Sequence, residues 1–506
     1  MNNQPIIYSL ILIVGLYLGN SFIILNPVSD NGKINSIITL IEENYVDGFD
    51  VNDYEDVILS SIMKELDPHS NYIPRKEQSF MEEDMQGSFS GVGVEFNIID
   101  DSLVVVSPIS GGPSEKLGIL SGDRIVEVDS VNIASVSLTN EGVVTKLRGE
   151  KGSPVRVKIF RRGERQLLDF TIIRGDIPLY SVDASYMVNP EIGYIKVNRF
   201  SATTNQEFFK GTQKLLSLGM TKLVLDLRGN PGGYLGSAIY MCNEFLEEGE
   251  LIVYTEGKYR KKEEIFSDND GSLHDIELVV LINEGSASAS EIVSGCMQDL
   301  DRAIIVGSRS FGKGLVQEEI RLKDGSAVRL TTQRYYIPSG RSIQKPYGKS
   351  ENEYNMEMYS RTEKNENIPD SLKYITKNGR TVYGGGGVTP DSIIIRDTTL
   401  NYIKFNRIRS KNWISEFALT YRDKVDKSKS VDALDKEKIY INFLSYIKSK
   451  KDKNFDFTMG LKEEDDLKLY IKAQIVKNNW DKNEYFKVIN STDLYLLKSL
   501  DILDKK

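Results

Sequence analysis

Three short apolar runs constrain this chain more than any other feature. They are 223–227 (LVLDL), 278–282 (LVVLI) and 303–306 (AIIV), and a helix-like stretch follows each of the first two. Runs of four or five apolar residues without polar alternation belong to strands covered on both faces. Strands of that kind alternating with helices predict an α/β core, spanning 176–395.

The flanking segments read differently. Residues 33–86 read as helical, with Ile34, Ile37, Ile38, Ile41 and Tyr45, then Leu59, Ile62, Met63 and Leu66, at helix spacing. A Pro-containing turn follows at Leu66-Asp67-Pro68-His69-Ser70. Strand-like runs at 92–98, 103–106, 124–128, 155–160 and 168–173, punctuated by Gly, Asp and Pro, predict a small β-rich module over 87–175. Residues 396–506 return to charged helix with a Leu467, Tyr470, Ile471, Ile475 stripe. At 506 residues the chain has room for about three domains.

Residues 6–25 carry no charge and are about long enough to cross a bilayer. A signal anchor or a cleaved signal peptide both fit, and a buried core helix is the structural alternative. The lack of a convincing cleavage site favours an uncleaved anchor over 1–30, with the rest of the chain on the periplasmic side of an inner membrane.

Composition narrows the chemistry. A formal charge of -9 with no long basic run makes nucleic acid a poor partner. Two cysteines exclude a four-thiolate zinc cage and a dense disulfide framework. Only His69 and His274 are available for Ser-His or Cys-His machinery, so an enzyme here is expected to use some other base.

Three elements carry candidate chemistry. Gly285-Ser286-Ala287-Ser288-Ala289-Ser290-Glu291 follows a strand and opens a helix, where free N–H groups can stabilise an oxyanion. Ser288-x-x-Glu291 is equally a capping box with no catalytic role. Residues 307–314 (GSRSFGKG) nearly match the phosphate-binding loop G-x-x-x-x-G-K-[ST], failing at Gly314, where a hydroxyl should bind magnesium. Lys313 is alternatively a general base, or simply an exposed loop lysine. As a base it must drop from about 10.4 towards 7–8, a cost of roughly 4 kcal/mol that apolar burial can impose. Phe311, Leu315 and Val316 surround it in sequence, and Gln317 could orient the amine. The third element, 226–233 (DLRGNPGG), is a glycine-rich turn that can offer N–H groups to an anion, or an ordinary turn.

Taken together, DLRGNPGG (226–233), NEGSASASEIVSGCMQD (283–299), GSRSFGKGLVQ (307–317), LTTQRYYIPSGRSIQ (330–344) and GGGGVTPD (384–391) resemble the C-terminal processing peptidases, or tail-specific proteases. LDPHSNYI (66–73) and GSFSGVGVEF (87–96) fit the same family, so the resemblance covers about 66–395 in order.

The resemblance implies a PDZ domain (87–175) and a crotonase/ClpP-like protease core (176–395). With the anchor (1–30), the N-terminal helical segment (31–86) and the helical extension (396–506) read from the residues, the expectation is an α+β multidomain chain, whose two ends depart from the family pattern. The resemblance also implies a serine endopeptidase with Ser288 as nucleophile, Lys313 as general base and Gln317 assisting. The N–H groups of Ala289 and of Gly232 or Gly233 would form the oxyanion hole. Gly91-Val92-Gly93-Val94 looks like the PDZ loop that captures a chain-terminal carboxylate, and 118–125 (GILSGDRI) resembles its usual downstream segment. The implied partners are proteins with free C-termini and, through the anchor, a membrane; no cofactor or metal is required, and a homo-oligomer is left open. The rival functions are a non-catalytic PDZ scaffold and a nucleotide hydrolase built on 307–314.

Overall fold

The computed structural model describes residues 32–99, 101–347, 350–360, 368–395, 402–450 and 458–505. The anchor expected over 6–25 lies outside them. No helix among the described residues is long and apolar enough to cross a membrane.

The three apolar runs lie side by side in a six-stranded sheet. Its order is Val182–Met187, Ile192–Val197, Lys222–Asp226, Glu277–Ile282, Ala303–Gly307 and Ser392–Ile393, antiparallel at the first pair and parallel thereafter. Side chains alternate between two cores. Leu223, Leu225, Leu278, Val280 and Ile282 pack on the side that also holds Phe208 of helix Thr204–Ser217, Met241 of Leu235–Asn243 and Val293 of Ala289–Asp299. Val224, Val279, Leu281 and Val306 face the other way, onto Leu496 and Leu503 of the last helix, Leu494–Asp504. Burial on both faces is why these strands read as unbroken apolar runs.

A second sheet lies beside the first. Its long strand Ala327–Tyr336 pairs with Leu315–Arg321, Leu251–Gly257 and Asn71–Ile73. The reading of 33–86 as helical is corrected here. Helices Lys33–Asn44, Glu55–Lys64 and Arg75–Gln86 form, but Asn71–Ile73 between the last two is a strand. Its partner lies about 255 residues away in sequence, beyond the reach of local periodicity. The apolar stripe of Lys33–Asn44 buries none of its residues.

The expected β-module forms an antiparallel sheet in the order Val94–Ile99, Ser102–Pro108, Arg124–Val128, Pro154–Phe160 and Leu168–Ile173. The chain enters and leaves it through a paired ribbon, Ser88–Gly91 against Gly175–Pro178. In the C-terminal region, Trp413, Phe417, Phe443, Leu467, Ile471 and Ile475 build a separate helical core.

Candidate active site

The three serines of 286–290 have different surroundings. Ser286 is buried and donates to the Leu227 carbonyl at 2.8 Å. Ser290 is buried and donates to the Asn230 carbonyl at 2.9 Å. Ser288 alone is half-buried and lines an open cavity of about 550 Å³. It sits at φ 54°, ψ −114°, in a region where non-glycine residues are strained.

The capping-box alternative forms: Ser288 and Glu291 cap the start of helix Ala289–Asp299, and the Glu291 carboxylate accepts from the Ser288 N–H at 2.8 Å. Glu291 does more than cap. Fully buried, it also accepts from Ser310 Oγ, from the Gly312 N–H at 2.7 Å and from the Lys313 N–H at 2.8 Å. One carboxylate thus ties the Ser288 turn to the loop carrying Lys313. Burial raises its pKa, opposed by those same hydrogen bonds.

The nucleotide-loop alternative is contradicted by the backbone. Residues 308–314 contain no helix, and the strand Leu315–Arg321 follows the lysine directly. A phosphate loop needs a helix N-terminus at that point.

Lys313 lines the same cavity as Ser288, Ala289 and Gly233. Its Nζ donates to Gln317 Oε1 at 2.8 Å, and Gln317 Nε2 donates to the His69 carbonyl at 2.6 Å. No hydrogen bond joins Ser288 Oγ to Lys313 Nζ among the described residues. Burial pushes the lysine pKa down, the Arg329 charge adds to this, and Glu291 and Asp67 oppose it. Lys313 also walls a second cavity with Gln317, Arg329 and residues 64–71.

The glycine turn packs directly on the serine. A Cβ on Gly232 (φ +100°) would lie 2.8 Å from Ser288 Cβ and 3.0 Å from the Ala289 nitrogen; one on Gly233 would lie 1.9 Å from the Phe200 carbonyl oxygen. Both positions therefore require glycine. The Gly232 N–H donates to Asn230 Oδ1 at 2.9 Å, so of the two glycines considered as oxyanion donors, Gly233 is the one whose N–H has no acceptor among the described residues.

The motifs did not single out Tyr335. This buried side chain donates to the Lys313 carbonyl at 2.6 Å and lies 3.1 Å from the Ser288 carbonyl. His69 contributes its carbonyl, while its ring Nε2 lies 2.8 Å from the Tyr354 hydroxyl. Burial and the Lys313 charge hold the imidazole down at about 4. His274 pairs elsewhere, with Gly271 and Asp275.

In the β-module, Gly93 takes φ +76° and the Val92 carbonyl accepts from Ser114 N–H and Oγ. The N–H groups of Val92 and Gly93 donate to no described residue. Consecutive free N–H groups at a strand start form a cradle for an anion.

Residues 191–352 match the family described as "Peptidase family S41", and residues 90–172 match "PDZ domain". A "Carboxy-terminal-processing protease" of Bartonella bacilliformis is 37% identical over 347 residues, 66% of this chain and 79% of that protein. A "Probable CtpA-like serine protease" of Staphylococcus saprophyticus is 34% identical over 314 residues, 62% of each chain. Among solved structures, a photosystem II D1 C-terminal processing protease is 26% identical, with 68% of this chain and 81% of that one covered at a TM-score of 0.36. The PDZ domain of a carboxy-terminal protease from Vibrio cholerae, in complex with peptide, is 29% identical, with 18% of this chain and 99% of that one covered at a TM-score of 0.17.

Proposed function

Because the chain belongs to peptidase family S41 and is a serine-type peptidase, we propose that it cuts proteins near their C-terminal tails with a Ser288–Lys313 dyad. The observation that carries this is the state of the lysine. Lys313 has no carboxylate within salt-bridge distance among the described residues, its one side-chain hydrogen bond goes to a neutral amide, and its pKa is lowered in the cavity that holds Ser288. A lowered pKa brings the amine nearer to the neutral form that accepts a proton.

In this reading Lys313 Nζ takes the Ser288 proton as Oγ attacks the peptide carbonyl. The oxyanion is held by the Gly233 and Ala289 N–H groups, at the start of helix Ala289–Asp299. The lysine then passes its proton to the leaving amine, and water hydrolyses the acyl-enzyme. Gln317, braced by the His69 carbonyl, keeps the amine aimed. The Gly91–Val94 loop holds the tail carboxylate of the substrate. The chain divides at 30, 86, 175 and 395 into anchor, helical segment, PDZ domain, protease core and helical extension, with the catalytic body outside the cytoplasm.

The test is cleavage of an unfolded protein with an apolar C-terminus, compared with the same protein amidated at that end. Ser288→Ala and Lys313→Ala should each lose about a thousandfold or more in kcat. Amidation should raise KM. Wild-type turnover in either variant refutes the dyad, and indifference to amidation refutes tail recognition.

A further inference from the structure

The C-terminal region meets the active-site loops through one charged cluster. Arg228 heads the turn that runs to Gly232 and Gly233. Its Nε lies 3.0 Å from both carboxylate oxygens of Asp226, its Nη2 2.6 Å from Oδ2, and its backbone N–H donates to Oδ1 at 2.9 Å. Lys196 Nζ lies 3.1 Å from the same carboxylate and also donates to the Arg228 carbonyl. Tyr194 donates its hydroxyl to Asp226 and, with its pKa far above the ordinary tyrosine value, stays neutral. The sheet and turn therefore set two cations against one carboxylate that is 1% exposed. An unbalanced charge in such a place is costly.

The balancing charge comes from the other end of the chain. Asp493 Oδ2 accepts from Arg228 Nη1 at 2.8 Å, and the Tyr495 ring lies under the guanidinium with Cζ 4.7 Å from its centroid. The same carboxylate caps helix Leu494–Asp504, accepting from the Leu496 N–H at 2.9 Å through Oδ1. Asp493 and Tyr495 lie outside the stretches that match either family.

The consequence runs through a short rigid path. After Arg228, the Gly229 N–H is held by Asn283 at 2.7 Å, and the Asn230 carbonyl accepts from the Ala287 N–H and from Ser290 Oγ. The turn that aims Gly233 is thus also the surface on which the Ser288 turn docks. We propose that Asp493 is a positioning residue for the oxyanion loop: the C-terminal helix, seated on Arg228, holds the turn at the geometry the tetrahedral intermediate needs. This rests on the Ser288–Lys313 reading above.

The test uses the full chain and the unfolded protein substrate. Asp493→Asn keeps a good helix cap but removes the charge and turns an amide donor towards Arg228. Lys222→Met loosens the other end of the same helix, where Lys222 Nζ donates to the Leu503 carbonyl at 2.7 Å, without touching Arg228. Asp493→Asn should lower kcat by about tenfold to a hundredfold with KM within about twofold, since only transition-state donors are displaced. Lys222→Met should lower Tm by at least as much and leave kcat near wild type. Wild-type kcat in Asp493→Asn overturns the proposal, as does an equal kcat loss in Lys222→Met. Absence of Ser288-dependent cleavage in the wild type overturns the dyad and this proposal together; an active dyad indifferent to residue 493 overturns this one alone.

Discussion

At the scale of single residues, the proposed site depends on a lysine whose pKa is lowered from its ordinary value. Lys313 has its pKa pressed below the free value of 10.5 by burial and by Arg329, and its Nζ is met by an amide oxygen instead of a carboxylate. The sign of the pH dependence follows. The base form is the neutral amine, so kcat/KM should climb with pH and level off, with a midpoint below 10.5. Gln317→Glu would put a negative charge at the hydrogen-bonding position, favour the ammonium, and move that midpoint up by about 1 unit or more. A pH–rate profile of the two proteins checks this; an unmoved midpoint means that another group titrates. Ser288 was legible as the candidate nucleophile only because its sequence context resembles a family. What separates it physically from Ser286 and Ser290 is that both neighbours are buried and donate to main-chain carbonyls.

At the scale of elements, the strand-to-helix turn and the lysine loop are joined by Glu291. Its two oxygens accept from Ser288, Ser310, Gly312 and Lys313 in a fully buried setting. Glu291→Gln keeps the shape but replaces one acceptor oxygen with a donor NH₂ facing N–H groups. We expect a stability loss of about 3 kcal/mol, read by denaturant unfolding, with a fall in kcat because both halves of the proposed dyad lose a common tether. A variant with wild-type stability would show that the carboxylate is not the joint. The S-x-x-E spacing was visible in the sequence and pointed to a cap. Its second role was not, because Ser310, Gly312 and Lys313 come from beyond the next strand, and only the parallel pairing of Glu277–Ile282 with Ala303–Gly307 brings that loop alongside. Tyr335 was missed for the same reason: an apolar-looking tyrosine in a strand carries no local sign that its hydroxyl bridges two distant carbonyls.

At the scale of the molecule, the core sheet is covered on one face by helices that follow its own strands and on the other by the last helix of the chain. That second cover was read from sequence only as charged helix. Leu503 is 1% exposed against Val224, Val279, Leu281 and Val306. Leu503→Ala should therefore cost about 2–5 kcal/mol in thermal or denaturant unfolding; a loss under about 0.5 kcal/mol would mean the helix is not part of the folded core.

The sequence by itself determined which segments become the buried strands of the core sheet and which side chains could carry acyl-transfer chemistry, because periodicity and residue chemistry act locally. Only the tertiary structure decided that Glu291 joins serine turn to lysine loop, that Asn71–Ile73 becomes a strand and that Asp493 balances Arg228. Each of these is a pairing between groups far apart along the chain, and a buried polar group takes whichever partner the packing brings within hydrogen-bond distance.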